Sequence, residues 1–213
     1  MDKILFEVQK NYIKSFRKEN DALILEMEEY ARQNNIPILS WDSAEFLEQL
    51  INILNPKRVL EIGTAIAYSS IRMAKNLRKK GIVHTIEKSP ENVEVAEDFI
   101  ARSGVEDKIK ILTGEALDVM PKLEKKYDLI FLDADKNDYG RLFDYSLILL
   151  KKGGVIFIDN LLWHGYAAAN KVPASYKKST KNIKEFNSVF MNHKALKTSL
   201  LPIGDGIGLG IKL

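Results

Sequence analysis

Length, composition and charge limit the kinds of protein that this chain can be. Its 213 residues suit one domain of ordinary size, and a hydrophobic content of 46% is enough to fill a core. The net charge of +3 does not by itself indicate nucleic-acid binding, although a local basic patch is compatible with it. The absence of cysteine excludes disulfides and thiolate zinc sites and is typical of a reducing cytoplasm, where we expect the protein.

The sequence has no segment typical of a membrane protein. No uninterrupted apolar run approaches the ~18 residues of a membrane span. The first residues mix charged and apolar side chains, unlike a signal peptide. We therefore expect no membrane partner.

Residues 1 to about 55 predict three helices. Asp42 and Glu45 have the spacing of a capping box, and apolar residues follow at helical spacing over 46–54. We expect a helical preface to a single domain that spans 1–213.

From Lys57 onwards, short apolar strands alternate with helices. The strands are predicted at 58–62, 82–87, 109–112, 129–133 and 155–159. Such alternation is typical of an α/β fold with a parallel sheet covered by helices on both faces. Ser89 and Pro90 predict the start of one helix, and Gly104 predicts its end.

The C-terminal part departs from this alternation. Residues 163–180 are irregular and predict a loop over the site, and a helix is predicted at about 182–192. Two strands, at 198–203 and 207–212, flank a Gly-Asp-Gly turn that is a strong hairpin signal. The sheet is therefore expected to end in an antiparallel pair.

The segment 59–69 is an apolar strand that breaks at Gly63 and turns into a helix. Nucleotide-like cofactors bind at such a turn. A dinucleotide fold has three glycines here, whereas this chain has one, so the turn suits an adenosine ligand without a diphosphate, such as S-adenosylmethionine. Ser69 and the free amides of the first helical turn can hold a carboxylate, or Ser69 only caps the helix.

Glu87 ends the second predicted strand, 24 residues after Gly63. That distance is close to the ~20 residues at which an acidic side chain meets ribose hydroxyls. The alternative is a solvated glutamate at a strand end.

Two further acidic strand ends predict a metal site. Asp133 and Asp159 each end a predicted strand, and Asn160 follows. Neighbouring parallel strands would bring these oxygen ligands together at the carboxyl edge of the sheet, where they suit Mg²⁺, or Mn²⁺ or Ca²⁺. Alternatively, Asp159 and Asn160 merely start a turn.

Lys136 follows Asp133 by three residues. A lysine held near a divalent cation can accept a proton near neutral pH, although a surface lysine is the alternative. The three histidines have no partner at metal-ligand spacing.

Taken together, these motifs resemble those of the class I, metal-dependent O-methyltransferases of the catechol and caffeoyl-CoA type. The matching segments, in order, are 61–64 (EIGT) with 68–69 (YS), 131–136 (FLDADK), 159–165 (DNLLWHG) and 202–206 (PIGDG). Within that family the chain is most similar to the bacterial tRNA 5-hydroxyuridine methyltransferases. The segments that carry this likeness are 35–38 (NIPI), 62–66 (IGTAI), 71–74 (IRMA), 185–187 (EFN) and 191–193 (MNH).

The resemblance implies a Rossmann-like methyltransferase fold with a seven-stranded, mostly parallel sheet and a reversed final hairpin. It implies that S-adenosylmethionine is surrounded by Leu39, Glu61, Gly63, Ser69, Glu87, Glu115, Ala116 and Asp133. In it, Glu87 binds the ribose, and Glu115 and Ala116 lie beside the adenine. The metal ligands would be Asp133, Asp159 and Asn160, and Lys136 would correspond to the proposed base. Ala67 and Ala44 depart from the family, which usually has glycine at the first position and often at the second, and a methyl group there could tighten the pocket.

The resemblance also implies a substrate. The tRNA anticodon loop is the first hypothesis, and a basic run of lysines at 171, 177, 178, 181 and 184 could contact phosphates. The alternative for this run is a merely solvated face. A catechol-type small molecule is the second, with Trp163 and Tyr166 lining its pocket. A non-catalytic binding module is the third, and the intact Asp133, Lys136, Asp159 and Asn160 argue against it. By analogy, the helical preface indicates a homodimer.

Overall fold

The chain alternates strands and helices after an all-helical start, as the computed structural model of residues 6–213 shows. The helices are α1 (Glu7–Lys14), α2 (Ala22–Asn34), α3 (Trp41–Leu54), α4 (Tyr68–Asn76), α5 (Pro90–Arg102), α6 (Ala116–Val119), α7 (Tyr139–Leu149) and α8 (Lys177–Met191). The strands are β1 (Arg58–Ile62), β2 (Ile82–Glu87), β3 (Ile109–Thr113), β4 (Tyr127–Leu132), β5 (Leu150–Ile158), β6 (Leu196–Leu201) and β7 (Ile207–Lys212). Short 3₁₀ turns include Trp163–Gly165 and Ala174–Tyr176.

The seven strands form one sheet in the order β3-β2-β1-β4-β5-β7-β6. The first five of these pair in parallel, whereas β7 is antiparallel to both β5 and β6. The seven-stranded, mostly parallel fold class with a reversed hairpin is therefore confirmed. The strand order changes direction between β1 and β4, and open α/β sheets bind ligands at such a switch point.

The core consists of two apolar layers, one on each face of the sheet. Val59 packs towards α2–α5, and its neighbour Leu60 packs towards α7 and α8, because successive side chains of a strand point to opposite faces. Both residues have no exposed surface. Burial on both faces explains why the central strands are continuous apolar runs.

The three predicted N-terminal helices are present as α1, α2 and α3, although residues 1–5 of the predicted preface lie outside the described residues. The predicted capping box is wrong. Helix α3 begins at Trp41 with Ser40 as its N-cap, so Asp42 and Glu45 lie inside the helix. The Asp42 carboxylate instead accepts hydrogen bonds from the Ser43 amide (3.0 Å) and the Ser40 hydroxyl (2.6 Å).

Other boundaries differ by one to five residues. Strands β4 and β5 each end one residue earlier than predicted, so Asp133 and Asp159 come directly after the strands. Strand β5 begins at Leu150 and helix α8 at Lys177, five residues before their predicted starts. Ser89 caps α5 through the Asn92 amide, with Pro90 as the first helical residue, as predicted. Among residues 6–213, no helix is both long and apolar enough to cross a membrane.

Candidate active site

The carboxyl ends of β1, β4 and β5 bring three predicted site residues to one edge of the sheet. The Asp133 amide donates to the carbonyl of Ile62 (3.0 Å), and the Asp159 amide donates to that of Leu132 (3.2 Å). These hydrogen bonds continue the strand ladder by one residue beyond each strand. Gly63, Asp133 and Asp159 therefore lie side by side, as the sequence predicted.

A cavity of about 510 Å³ opens at this edge. Its floor includes Asp133, Lys136, Asp159 and Asn160. Its walls come from three other segments: Pro37 and Ile38 before α3, Trp163 and His164 after β5, and Ser179 on α8. The irregular segment after β5 thus borders the site, as predicted.

A smaller cavity of about 120 Å³ adjoins the first. The two cavities share Gly63, Glu87, Ala134 and Asp135. Glu115 and Ala116 line the small cavity, at the N-terminus of α6. The structure therefore places the predicted ribose residue, Glu87, between the predicted adenine residues and the larger cavity.

The Glu87 carboxylate is buried and held by three backbone amides. One oxygen accepts from Ala65 (2.8 Å), and the other accepts from Lys88 (3.0 Å) and Ser89 (2.9 Å). These bonds fix the carboxylate and the Gly63 turn relative to one another. Free lone pairs on the two oxygens remain for hydroxyl donors.

The Lys136 ammonium lies among oxygen atoms from three segments. It donates to Asn160 Oδ1 (2.6 Å), to Tyr139 Oη (2.7 Å) and to the Ala134 carbonyl (3.0 Å), and Asp133 Oδ1 is 3.3 Å away. Its side chain is only 10% exposed. The predicted base and the predicted metal ligands therefore touch.

Asp159 carries a buried carboxylate oxygen that no hydrogen bond satisfies. Its Oδ2 accepts a hydrogen bond from the side-chain Nδ2 of Asn160 (3.2 Å), whereas its buried Oδ1 has no hydrogen-bond partner. Burial, with the nearby charge of Asp133, raises the pKa of Asp159 to about 8. An unpartnered carboxylate oxygen beside two other oxygen donors suits a cation.

Glu61 and Ser69, which were predicted to contact the cofactor, bind each other and line neither cavity. The Ser69 and Ser70 hydroxyls both donate to the Glu61 carboxylate, which has no exposed surface. Because burial outweighs these bonds, the pKa of Glu61 rises to about 7. The hydroxyl proton of Ser69 is therefore already engaged, and its amide and lone pairs are what remain for a ligand.

The turn after β1 has a left-handed backbone at Gly63 (φ 101°), Ala65 (φ 48°) and Ala67 (φ 66°). A Cβ atom at Gly63 would lie 2.0 Å from the Asp133 carbonyl oxygen, so only glycine fits there. Ala67 is the N-cap of α4 and fully buried. The left-handed backbone at residue 67 explains why glycine suits that position in the family. Alanine occupies it here under strain.

Leu39 is buried in the core, and its neighbours Pro37 and Ile38 face the large cavity instead. Ala44 is likewise buried in the core.

Sequence reasoning missed Asp205, in the turn between β6 and β7. Its carboxylate accepts from the His164 amide (2.6 Å) beside the cavity, and burial raises its pKa. The Gly-Asp-Gly motif was the signal that could have revealed it, but it was interpreted as a hairpin turn and a family motif, with no role for its aspartate.

The sheet order, the switch-point cavities and the adenosine-type turn define a class I methyltransferase fold. The chain belongs to the O-methyltransferase family, since the sequence model of that family matches residues 14–213. The predicted membership of the O-methyltransferase family is therefore confirmed, whereas the likeness to tRNA 5-hydroxyuridine methyltransferases and the metal dependence stay predictions.

Individual relatives agree with this membership. A catechol O-methyltransferase from Niastella koreensis is 30% identical over 222 residues, which cover 99% of each chain. A caffeoyl-CoA O-methyltransferase from Populus kitakamiensis is 34% identical over 176 residues, covering 79% of this chain and 75% of its own. The crystal structure of an O-methyltransferase from Bacillus cereus in complex with S-adenosylhomocysteine (SAH) is 26% identical, with a TM-score of 0.85 and 97% of each chain covered.

Proposed function

We propose that this O-methyltransferase uses S-adenosylmethionine and a divalent cation to methylate 5-hydroxyuridine at the wobble position of tRNA, forming 5-methoxyuridine. The observation that carries the proposal is the unpartnered, buried Asp159 Oδ1 beside Asp133, Asn160 and Lys136, in the large cavity. The cation and the acceptor hydroxyl would bind in the same cavity, because Asp133, Asp159, Asn160 and Lys136 all line it.

The donor set fits Mg²⁺, or Mn²⁺ or Ca²⁺. Within residues 6–213, no three histidine or acidic side chains come close enough to bind a metal, so the third protein ligand would be the Asn160 amide oxygen. Asp133 and Asp159 would supply the other two. Hard cations of this kind prefer oxygen ligands and keep open positions for water or substrate oxygens.

The cofactor arrangement follows from the two cavities. The Glu87 carboxylate would accept hydrogen bonds from the ribose hydroxyls, and the small cavity beside Glu115 and Ala116 would take the adenine. The methyl donor would then extend from Glu87 towards Asp133, into the large cavity. SAH in the Bacillus cereus relative supports an adenosine cofactor for the family.

In the mechanism, residues of this chain position the acceptor and handle its proton. A bound divalent cation would make the acceptor hydroxyl more acidic. Lys136 would first release one ammonium proton to solvent, and its neutral Nζ would then take the proton of the acceptor hydroxyl. Its contacts with Asn160 and Tyr139 hold the nitrogen in place for the transfer. S-adenosylmethionine would supply the methyl group, and its leaving group is neutral, so the main contribution of the protein is alignment.

Two features favour a wobble nucleoside. The 5-hydroxyl of 5-hydroxyuridine lies next to the carbonyl oxygen at position 4, so both oxygens can chelate one cation, as the paired oxygens of a catechol do. Lys171, Lys177, Lys178, Lys181 and Lys184 are all exposed. Helix α8 carries four of them, all except Lys171, and borders the cavity through Ser179. Lysines placed in this way suit phosphates.

The deciding experiment compares tRNA nucleosides by mass spectrometry in cells with and without the gene. Loss of 5-methoxyuridine with accumulation of 5-hydroxyuridine, reversed by purified enzyme with Mg²⁺, supports the proposal. Unchanged 5-methoxyuridine rejects the tRNA substrate.

The basic surface is tested separately by Lys177→Glu combined with Lys178→Glu. We expect weaker tRNA methylation with a smaller dependence on salt, because fewer phosphates are neutralised. The matched control is Lys122→Glu with Lys125→Glu, two exposed lysines before β4, at the opposite edge of the sheet. Equal effects of the two pairs would refute a specific role for α8.

A catechol-type small molecule is the second candidate, and an aromatic cluster favours it. The rings of Trp163 and His164 lie 5.0 Å apart, and those of Tyr166 and Tyr176 lie 5.1 Å apart, in the segment between β5 and α8. Trp163 lines the cavity, whereas Tyr166 is buried behind it. Turnover of catechol, but not of tRNA that contains 5-hydroxyuridine, would favour this candidate.

A further inference from the structure

The turn between β6 and β7 connects two walls of the large cavity. On one side, the Gly204 amide donates to Asp42 Oδ2 of α3 (3.2 Å). On the other, the amides of Leu161 and Leu162 donate to the carbonyls of Gly206 and Asp205, both at 2.9 Å. The turn therefore joins α3 to the segment that follows Asp159 and Asn160.

Side chains are excluded from both flanks of this turn. A Cβ atom at Gly204 would lie 2.2 Å from the Ser43 hydroxyl oxygen, and one at Gly206 would lie 2.6 Å from the Leu162 nitrogen. Asp205 is thus the one position of the Gly-Asp-Gly motif that can carry a side chain, and that side chain is directed to the cavity wall.

The Asp205 carboxylate is 19% exposed and contacts His164 twice. Oδ1 accepts from the His164 amide at 2.6 Å, and Oδ2 lies 3.7 Å from His164 Nδ1.

The segment that Asp205 holds has an unfavourable backbone. Asn160 (φ 65°), Trp163 (φ 48°) and His164 (φ 57°) are all left-handed, although none is glycine. Such conformations persist only where the surroundings impose them, and they concentrate at functional sites. One member is a proposed metal ligand, and the other two line the cavity.

We propose that Asp205 is a positioning residue for the methyl acceptor. By holding the His164 backbone, it keeps the Trp163–His164 wall against Lys136 and Asn160, so that the acceptor is aligned above them. It acts through that wall and not as a metal ligand. The inference rests on the proposed function and specifies which residue aligns its substrate.

The kinetic test compares Asp205→Ala with Asp205→Asn, which retains the acceptor oxygen, and with Asp107→Ala, an exposed aspartate outside both cavities. Rates are measured against acceptor concentration, with tRNA and with catechol, and cofactor affinity is measured by calorimetry. We expect Asp205→Ala to lower kcat/KM for the acceptor by about 10- to 100-fold, since small misplacements have effects of this size. Cofactor affinity should stay within about twofold, and Asp205→Asn should restore most of the loss.

Amide hydrogen exchange at His164 provides a readout without turnover. The wild type and Asp205→Asn should protect this amide, and Asp205→Ala should expose it. Asp205→Ser serves the same purpose if Asp205→Ala does not fold, because its shorter side chain cannot reach the amide. Equal protection in all variants, or a loss of cofactor affinity parallel to that of kcat/KM, overturns the proposal. If the wild type methylates neither acceptor, the proposed function fails, whereas exchange at His164 still decides whether Asp205 holds the wall.

Discussion

Lys136 Nζ lies 2.6 Å from Asn160 Oδ1, so the ammonium group joins the ends of β4 and β5. The same nitrogen is 3.3 Å from Asp133 Oδ1. In this arrangement the lysine provides positive charge among the oxygens proposed to bind a divalent cation. A divalent cation bound to these oxygens would replace the positive charge of the lysine, so that Lys136 could release one proton to solvent and its neutral nitrogen could accept the proton of the acceptor hydroxyl.

Replacing Lys136 with methionine keeps most of the side-chain volume and removes the nitrogen. We expect kcat to fall by about 10²–10⁴-fold, the usual contribution of a general base. Cofactor affinity, measured by calorimetry, should change little, because Glu87 and the small cavity are untouched. Full turnover in Lys136→Met would show that another group takes the proton.

Asp159→Asn replaces a buried carboxyl group, whose Oδ1 has no hydrogen-bond partner, with a neutral amide that cannot ionise to bind a cation. We expect metal-dependent turnover to fall at least about 100-fold while cofactor binding remains measurable. In a thermal-shift assay, Mg²⁺ should raise the Tm of the wild type, because it binds only the folded protein, and should not raise that of the variant. Undiminished turnover of Asp159→Asn in the presence of a chelator would contradict the metal site.

The buried Glu61 predicts a pH-dependent stability. Its pKa of about 7 in the folded protein exceeds the usual 4.5, so the folded state holds a proton that the unfolded state has lost between these values. The stability contribution of Glu61 therefore falls as the pH rises from about 4.5 to 7, by ~3 kcal/mol in all.

Glu61→Gln should remove the loss of folding stability that the ionisation of Glu61 causes as the pH rises. Urea denaturation at pH 5 and pH 8 should show the variant gaining stability relative to the wild type at the higher pH. Glu124→Gln, at an exposed position, controls for the loss of one charge. A difference between variant and wild type that is the same at both pH values would disprove the prediction.

Ala67 is strained by its left-handed backbone, but its methyl group is fully buried. Ala67→Gly relieves the strain and loses the apolar contact, so we expect a net change in unfolding free energy within about 1 kcal/mol. Ala67→Val should destabilise by more than ~2 kcal/mol, because a β-branched residue tolerates positive φ poorly and the site is packed. Chemical denaturation measures both, and a Val variant as stable as the wild type would contradict this account.

The sheet and the floor of the site could be predicted because their causes are local. Short apolar runs define β1 and β2 to the residue, the Gly-Asp-Gly turn defines the start of β7, and Ser89 with Pro90 defines the start of α5. Parallel strands align their carboxyl ends, so Asp133 and Asp159 had to approach each other once their strands were neighbours. The capping box failed because Asp42 bonds with Ser40 and Ser43, which its spacing to Glu45 does not reveal.

The sequence by itself determined the α/β alternation, the reversed hairpin and the residue types gathered at the sheet edge, because strand periodicity and turn chemistry act over a few residues. Only the tertiary structure decided how these groups are used: that Ser69 donates to Glu61, that Ala67 is left-handed, and that Asp205 holds His164. These relationships depend on burial and on contacts between segments distant along the chain. Such contacts are set by how the layers pack and not by any local pattern.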